Sequence, residues 1–163
     1  MAKTTSSEFE LLKTMCAIHA PSGNEGPMKE FVLKYIQKHK KNWKHKPEII
    51  HGKGFQDCII LIFGKPRTAV FAHLDSIGFT VRYGKQLVKI GGPVTDKGID
   101  LVGKDKKGKA EVKLKATKDK NGYLKLEYAY KRDLETGTEL TFKPNWREDK
   151  NYVQCCYMDN RLG

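Results

Sequence analysis

Apolar side chains recur at helical spacing in the first part of the chain. Between Glu8 and Ile18 the positions Leu11, Leu12, Met15 and Ile18 form one apolar stripe, which predicts an amphipathic helix. A second stripe follows Pro21-Ser22-Gly23, and Ser22 with Glu25 predicts a capping box at the start of its helix. Its apolar positions are Met28, Phe31, Val32, Tyr35 and Ile36.

After the two predicted helices, apolar residues occur in continuous runs and no longer at helical spacing. The segment from Asp57 to Phe63 is apolar after its first residue and Ala69 to Ala72 is apolar throughout, which is typical of strands buried on both faces of an α/β sheet. The segment from Asn151 to Met158 has the same character. These runs predict the strands of an α/β layer.

Between the two groups of apolar runs, short segments alternate between apolar and polar residues. They predict antiparallel strands at 86–90, 109–116, 123–130 and 139–142, with a hairpin turn at Asn121-Gly122. The fold class expected is therefore α/β, with an inserted antiparallel β-barrel or sandwich. Residues 1–83 and 150–163 are assigned to the α/β domain, and residues 84–149 to the insertion.

Composition narrows the class of protein. The chain has 163 residues, of which 39% are hydrophobic and 31% charged, as in soluble globular domains. Its apolar runs are all shorter than the roughly 18 residues that span a membrane, so no membrane association is expected. The N-terminal residues show no signal-peptide pattern, and the four cysteines lack C-x-x-C spacing. Free thiols in a reducing compartment are predicted, and the protein is expected to be cytoplasmic.

The net charge of +12 leaves two interpretations open. Lysines alternating with apolar residues usually form the solvated face of a sheet, but a basic surface can also attract a negatively charged partner, either a polyanion or an acidic substrate. One cluster spans residues 38–46, and twelve further lysines are spread from Lys85 to Lys125 in the predicted insertion. Because arginine is scarce there and no aromatic platform is evident, nucleic acid is a disfavoured partner.

Candidate metal ligands stand where two apolar runs end. His73 and Asp75 are two residues apart, so in a strand they share a face, and the carboxylate can orient an imidazole that binds a metal. Asp159 follows the last apolar run and could bridge two metals. Each has an ordinary alternative, a structural hydrogen-bonded pair for the first two and a turn or helix cap for Asp159.

Taken together, these segments resemble a known family. Ala72 to Gly78 is similar to the A-H-x-D-x-I-G signature of the glutamyl and deblocking aminopeptidases, which include the tetrahedral aminopeptidases. Asp159 to Gly163 resembles their D-D-R-x-G motif, and Ala20 to Glu25 their P-S-G-x-E segment. Gly137 to Phe142 is like their G-D-x-V-x-F run, near the end of an inserted dimerisation domain.

The resemblance implies a zinc-dependent aminopeptidase that releases N-terminal amino acids from peptides. His73 would bind one metal, Asp159 would bridge both, and Asp75 would be the catalytic residue that orients His73. Two divalent ions are implied, zinc first, with cobalt or manganese as alternatives. Peptides would be the substrates, and the β-rich insertion would join copies of the chain into a homo-oligomer.

The chain departs from the family pattern in two respects. Asn160 stands where the family usually has a second Asp, and the family's remaining ligands and general-base Glu come from segments after D-D-R-x-G. The sequence is therefore interpreted as an N-terminal portion that is inactive by itself. The alternatives are a non-catalytic basic β-module that binds nucleic acid and an assembly fragment of the peptidase.

Overall fold

The computed structural model describes residues 7–148 and 153–156. Two helices come first, α1 (Ser7–Ala17) and α2 (Gly26–His39). Both predicted helices are thus confirmed, and the buried side chains Cys16, Met28 and Ile36 lie on the inner faces. No described helix is long and apolar enough to cross a membrane.

A small hairpin follows the helices. Strand β1 (Glu48–Ile50) pairs antiparallel with β2 (Ile60–Ile62). The Lys29 ammonium of α2 donates to the Gln56 carbonyl at 2.5 Å and lies 3.2 Å from an Asp57 carboxylate oxygen. The second helix is thereby tied to the segment that leads into β2.

Six antiparallel strands form the main sheet. Their order is β4-β3-β8-β5-β6-β7. Their bounds are β3 (Gly78–Val81), β4 (Leu87–Ile90), β5 (Asp100–Asp105), β6 (Gly108–Lys118), β7 (Leu124–Ala129) and β8 (Glu139–Phe142). A bridge between Gln86 and Glu127 brings the β4 and β7 edges together, so the sheet is nearly closed.

The largest hydrophobic core lies inside this sheet. Alternate residues point inward, as on β6, where Ala110, Val112 and Leu114 are buried while Glu111 and Lys113 between them are exposed. Phe79 of β3 packs on Phe142 of β8 with ring centroids 6.0 Å apart. The alternation that predicted a strand at 109–116 is therefore the inside-outside pattern of a strand with one buried face. In β8, by contrast, the consecutive residues Leu140, Thr141 and Phe142 are all buried.

The predicted hairpin between β6 and β7 is present. Gly122 has a φ of 83°, a conformation that glycine adopts without strain. The Asp119 carboxylate accepts hydrogen bonds from the backbone N–H groups of Asn121 and Tyr123 at 2.8 and 2.9 Å. Asp119 thus stabilises the turn that Asn121-Gly122 predicted.

The predicted strand from Ala69 to Ala72 is wrong. These residues are irregular, and Val70 and Phe71 are 93% and 91% exposed. A strand requires a neighbour that accepts and donates its backbone hydrogen bonds, and no part of the described chain pairs with this segment. Apolar composition alone therefore did not produce a strand here.

A second hairpin lies at the end of the described chain. Strand β9 (Asn145–Glu148) pairs antiparallel with β10 (Val153–Cys156). Trp146 of β9 meets Phe9 of α1 edge to face, with centroids 5.4 Å apart. The first helix is therefore connected to the segment that follows β8.

The observed class is a mixed helix and sheet fold with a nearly closed six-stranded antiparallel sheet. The sheet begins at Gly78, whereas the insertion was expected to begin at residue 84. Because β3 pairs with both β4 and β8, it belongs to the same sheet as the predicted insertion strands. The α/β/α domain and the division into 1–83, 150–163 and 84–149 stay predictions.

Candidate functional site

The candidate site lies where the connection between the two helices meets the segment before β3. A parallel bridge joins Pro21 to Ser76. The Ser76 N–H donates to the Ala20 carbonyl at 2.8 Å, and the Ser22 N–H donates to the Ser76 carbonyl at 3.1 Å. These backbone contacts hold two segments of distant sequence side by side.

Asp75 is the residue at which side chains converge. Its Oδ2 accepts a hydrogen bond from the Ser22 hydroxyl, and its Oδ1 lies 3.4 Å from Nδ1 of His73. The Asp75 backbone carbonyl also lies 2.9 Å from that nitrogen. Ser22, Asp75 and His73 therefore form one connected polar group.

The tautomer of His73 follows from these contacts. A carbonyl oxygen can only accept, so the hydrogen bond to Asp75 requires Nδ1 to carry the proton. In the neutral ring, Nε2 then has a free lone pair, which is the form that binds a metal. Half of the His73 side chain is exposed, so a ligand from solvent can approach it.

The expected pairing of His73 with Asp75 is thus present as a contact, although the residues do not lie in a strand. The shared strand face predicted for positions 73 and 75 is replaced by a hydrogen bond from the His73 imidazole to the backbone carbonyl of Asp75. What each residue does in catalysis stays a prediction.

Of the two metal ligands expected from the sequence, His73 lies among the described residues. Within residues 7–148 and 153–156, no group of three His, Cys, Asp or Glu side chains is placed to hold a metal. His73 fits a metal through Nε2, but a catalytic zinc takes about three protein ligands. Asp159, the predicted bridging ligand, and Asn160 lie outside the described residues.

Ser22 is the residue whose role sequence reasoning missed. The expected capping box is wrong, because the Ser22 hydroxyl bonds Asp75 and no side chain caps α2. Instead, the Glu25 carboxylate accepts from the Gly23 N–H at 2.7 Å, and Pro27 occupies the first turn. The available signal is the P-S-G segment itself, whose family resemblance does not predict a contact with Asp75.

A buried hydroxyl lies beside this group. Ser76 is almost fully buried, and its Oγ is the only described buried side-chain polar atom without a hydrogen-bond partner. Nearby, Nδ1 of His19 lies 3.0 Å from the Thr141 hydroxyl, and the Asn24 amide donates to Glu139 at 3.0 Å. The helix connection is therefore attached to β8 as well as to the segment before β3.

No protein-family model matches the chain, and no curated protein does. Among solved structures, the fold is similar to that of PhTET1-12s, which has a dodecamer in its asymmetric unit. The TM-score is 0.53 at 16% sequence identity, and the match covers 91% of this chain and 49% of that one. The chain thus spans about half the length of the structure that it matches, and the likeness is one of fold.

Proposed function

We propose that this chain is part of a metal-dependent aminopeptidase, with His73 as a metal ligand. The observation that carries the proposal is the Ser22-Asp75-His73 group, which sets the imidazole in its metal-binding tautomer. The reaction class is taken from the resemblance of Ala72 to Gly78 to the glutamyl and deblocking aminopeptidase signature, and the fold likeness to PhTET1-12s is consistent with it.

Each residue of the group has a defined task in this proposal. His73 binds the metal through Nε2, and Asp75 holds the imidazole by its carbonyl and its carboxylate. Ser22 positions Asp75 by a hydrogen bond to the opposite carboxylate oxygen. A divalent metal supplies Lewis acidity toward a peptide carbonyl when it is bound. Asp159 is proposed as a further ligand from the same chain, with zinc as the preferred metal and peptides as the substrates.

The test is the replacement His73→Ala in the full-length protein. We expect loss of peptide hydrolysis and of one class of bound zinc, with little change in melting temperature because the side chain is half exposed. His51→Ala is the matched control. His51 is also exposed, and no described hydrogen bond joins it to Asp75. Undiminished hydrolysis by His73→Ala would remove His73 from the site.

A role in assembly is a second candidate, and the sheet edges favour it. Val88 of β4 is 43% exposed and Leu124 of β7 is 48% exposed, on the two strands that meet at the incomplete closure. Apolar side chains on sheet edges are common sites of association between chains. We propose that the six-stranded sheet joins copies of the protein into a homo-oligomer, as the dodecamer of PhTET1-12s suggests.

A further inference from the structure

A basic surface lies at the far end of α2 from the candidate site. Residues 38–46 contain five lysines and two histidines and no carboxylate. Lys38, Lys41, Lys44 and Lys46 are exposed, and Trp43 is partly buried in their midst. Together with Phe63, these residues are called the basic-aromatic patch.

The lysines of this patch are not neutralised locally. In the described part of the chain, none of the five makes an ion pair with a carboxylate. Some lysines of the six-stranded sheet are paired, as Lys113 lies 2.7 Å from Asp100 and Lys125 lies 2.9 Å from Glu127. The patch therefore concentrates positive charge in one short segment that contains no carboxylate.

Aromatic rings lie within the same surface. The Trp43 and Phe63 centroids are 6.1 Å apart with the rings tilted by 39°, and Phe63 is 45% exposed. Pairing of β1 with β2 brings them together, because Glu48 lies opposite Ile62, the residue before Phe63. Tyr35 and His39 stack at 4.2 Å on the adjoining turn of α2. Rings among unpaired lysines are the combination that binds single-stranded nucleic acid without sequence preference.

We propose that the basic-aromatic patch binds single-stranded nucleic acid, a property beyond the peptidase reaction. Lysines contact phosphates as point charges, and a base stacks on the exposed face of Phe63 beside Trp43. The absence of arginine from residues 38–46 fits backbone contact and not base reading. The sequence alone disfavoured this partner because the Trp43–Phe63 contact is made only in the folded chain.

An anionic bilayer is the competing partner, and the geometry favours it less. Insertion into a membrane requires apolar side chains that project beyond the cations. Here Met28 and Ile36 of α2 are buried, and Trp43 is partly covered by Phe63. The rings form a platform beside the lysines, which suits stacking.

The experiment measures binding of fluorescein-labelled oligothymidylate to the full chain as salt is raised. We expect the logarithm of affinity to fall linearly with the logarithm of salt concentration, by about 0.7 per phosphate contact. The variant Lys38→Gln/Lys41→Gln/Lys44→Gln should bind at least tenfold more weakly and reduce that slope by about two. The control Lys106→Gln/Lys107→Gln/Lys120→Gln removes the same charge from exposed turns of the sheet and should change affinity less than threefold.

Stacking is tested separately by Phe63→Leu, because Phe63 is nearly half exposed and its replacement leaves the fold intact. We expect Phe63→Leu to bind the oligonucleotide more weakly, with an unchanged salt slope. In the parent chain, we expect the bound oligonucleotide to quench the fluorescence of Trp43 and not that of Trp146. Equal losses in the two lysine variants would overturn the proposal. So would an absence of oligonucleotide binding, with or without binding to phosphatidylserine vesicles.

Discussion

The two carboxylate oxygens of Asp75 link the segment between α1 and α2 to His73 of the candidate site. One oxygen accepts from Ser22 and the other faces His73. A carboxylate held at one oxygen presents the other in a fixed direction, so Ser22 acts on the imidazole through Asp75 and is a positioning residue.

Replacing Ser22 by Ala tests this arrangement. We expect a loss of about 0.5–1.5 kcal/mol in stability, the usual net value of such a hydrogen bond. We also expect a roughly tenfold loss of zinc affinity at His73, as for other groups that orient metal ligands. Urea unfolding and zinc competition with a chelator measure the two effects.

Ser22→Thr is the matched control, since it keeps the hydroxyl and should keep zinc affinity within about threefold of the parent. Zinc affinity that is equal in Ser22→Ala and the parent would mean that Asp75 does not need Ser22.

Asp105 predicts how stability depends on pH. Arg132 donates to both carboxylate oxygens, at 2.5 and 2.9 Å. This bond lowers the pKa of Asp105 from 3.8 to about 2, against the opposing effect of burial. Because the folded pKa lies below the unfolded one, the stabilisation is complete above about pH 4 and is lost as pH falls through about 2.

The variant Asp105→Asn should therefore melt below the parent at pH 7, and the difference should shrink between pH 4 and pH 2. Circular dichroism melts across that range measure it. A difference that stays constant down to pH 2 would mean that the charge of Asp105 is not what stabilises the fold.

At the scale of elements, strands β5 and β8 approach each other so closely at Gly103 that there is no space for a side chain. A Cβ placed on Gly103 of β5 would lie 2.2 Å from the Glu139 carbonyl oxygen and 2.7 Å from Cδ2 of Leu140. The strands must move apart to admit a methyl group, and the backbone oxygen cannot turn away as a side chain could.

Gly103→Ala is therefore expected to destabilise the protein by roughly 1–3 kcal/mol, measured by chemical unfolding. Gly54→Ala is the comparison, because a Cβ there meets nothing within 4 Å. Similar stabilities for the two variants would contradict the close packing of β5 on β8.

Elements were predictable from sequence where their own pattern determines them. The alternation in β6 and β7 and the Asn121-Gly122 turn sufficed, because each strand has one face in the core. Strand β5 was not predicted, since Gly103 and two aspartates interrupt the apolar-polar alternation of its sequence. Its extended conformation depends on pairing with β6 and β8. In the candidate site, His73 and Asp75 were found by their spacing, while Ser22 was not, because its contact spans 53 residues.

At the scale of the whole molecule, the sheet has two edges that nearly meet. The Gln86–Glu127 bridge and the hydrogen bond from the Lys85 ammonium to the Tyr130 carbonyl join them. Val88 and Leu124 remain exposed on these edge strands. Burial of apolar edges against another copy would remove them from water.

Oligomer size should therefore depend on Val88 and Leu124. The double variant Val88→Lys/Leu124→Lys should sediment as a smaller species than the parent protein, because buried lysines oppose association. Val94→Lys is the matched control, as Val94 has the same 43% exposure as Val88 but lies outside both edge strands. Unchanged sedimentation of the double variant would place the interface elsewhere.

The bridge between Pro21 and Ser76 has a consequence for the order of folding. The hairpins of the sheet close short loops and can form early, whereas the Ser22–Asp75 contact closes a loop of 53 residues at a greater cost in chain entropy. The candidate site should thus form after the β3–β4 and β6–β7 hairpins. In a slow refolding reaction, the Ser76 amide would gain protection from hydrogen exchange later than the amides of β6, so competence of the site would lag behind compaction of the chain.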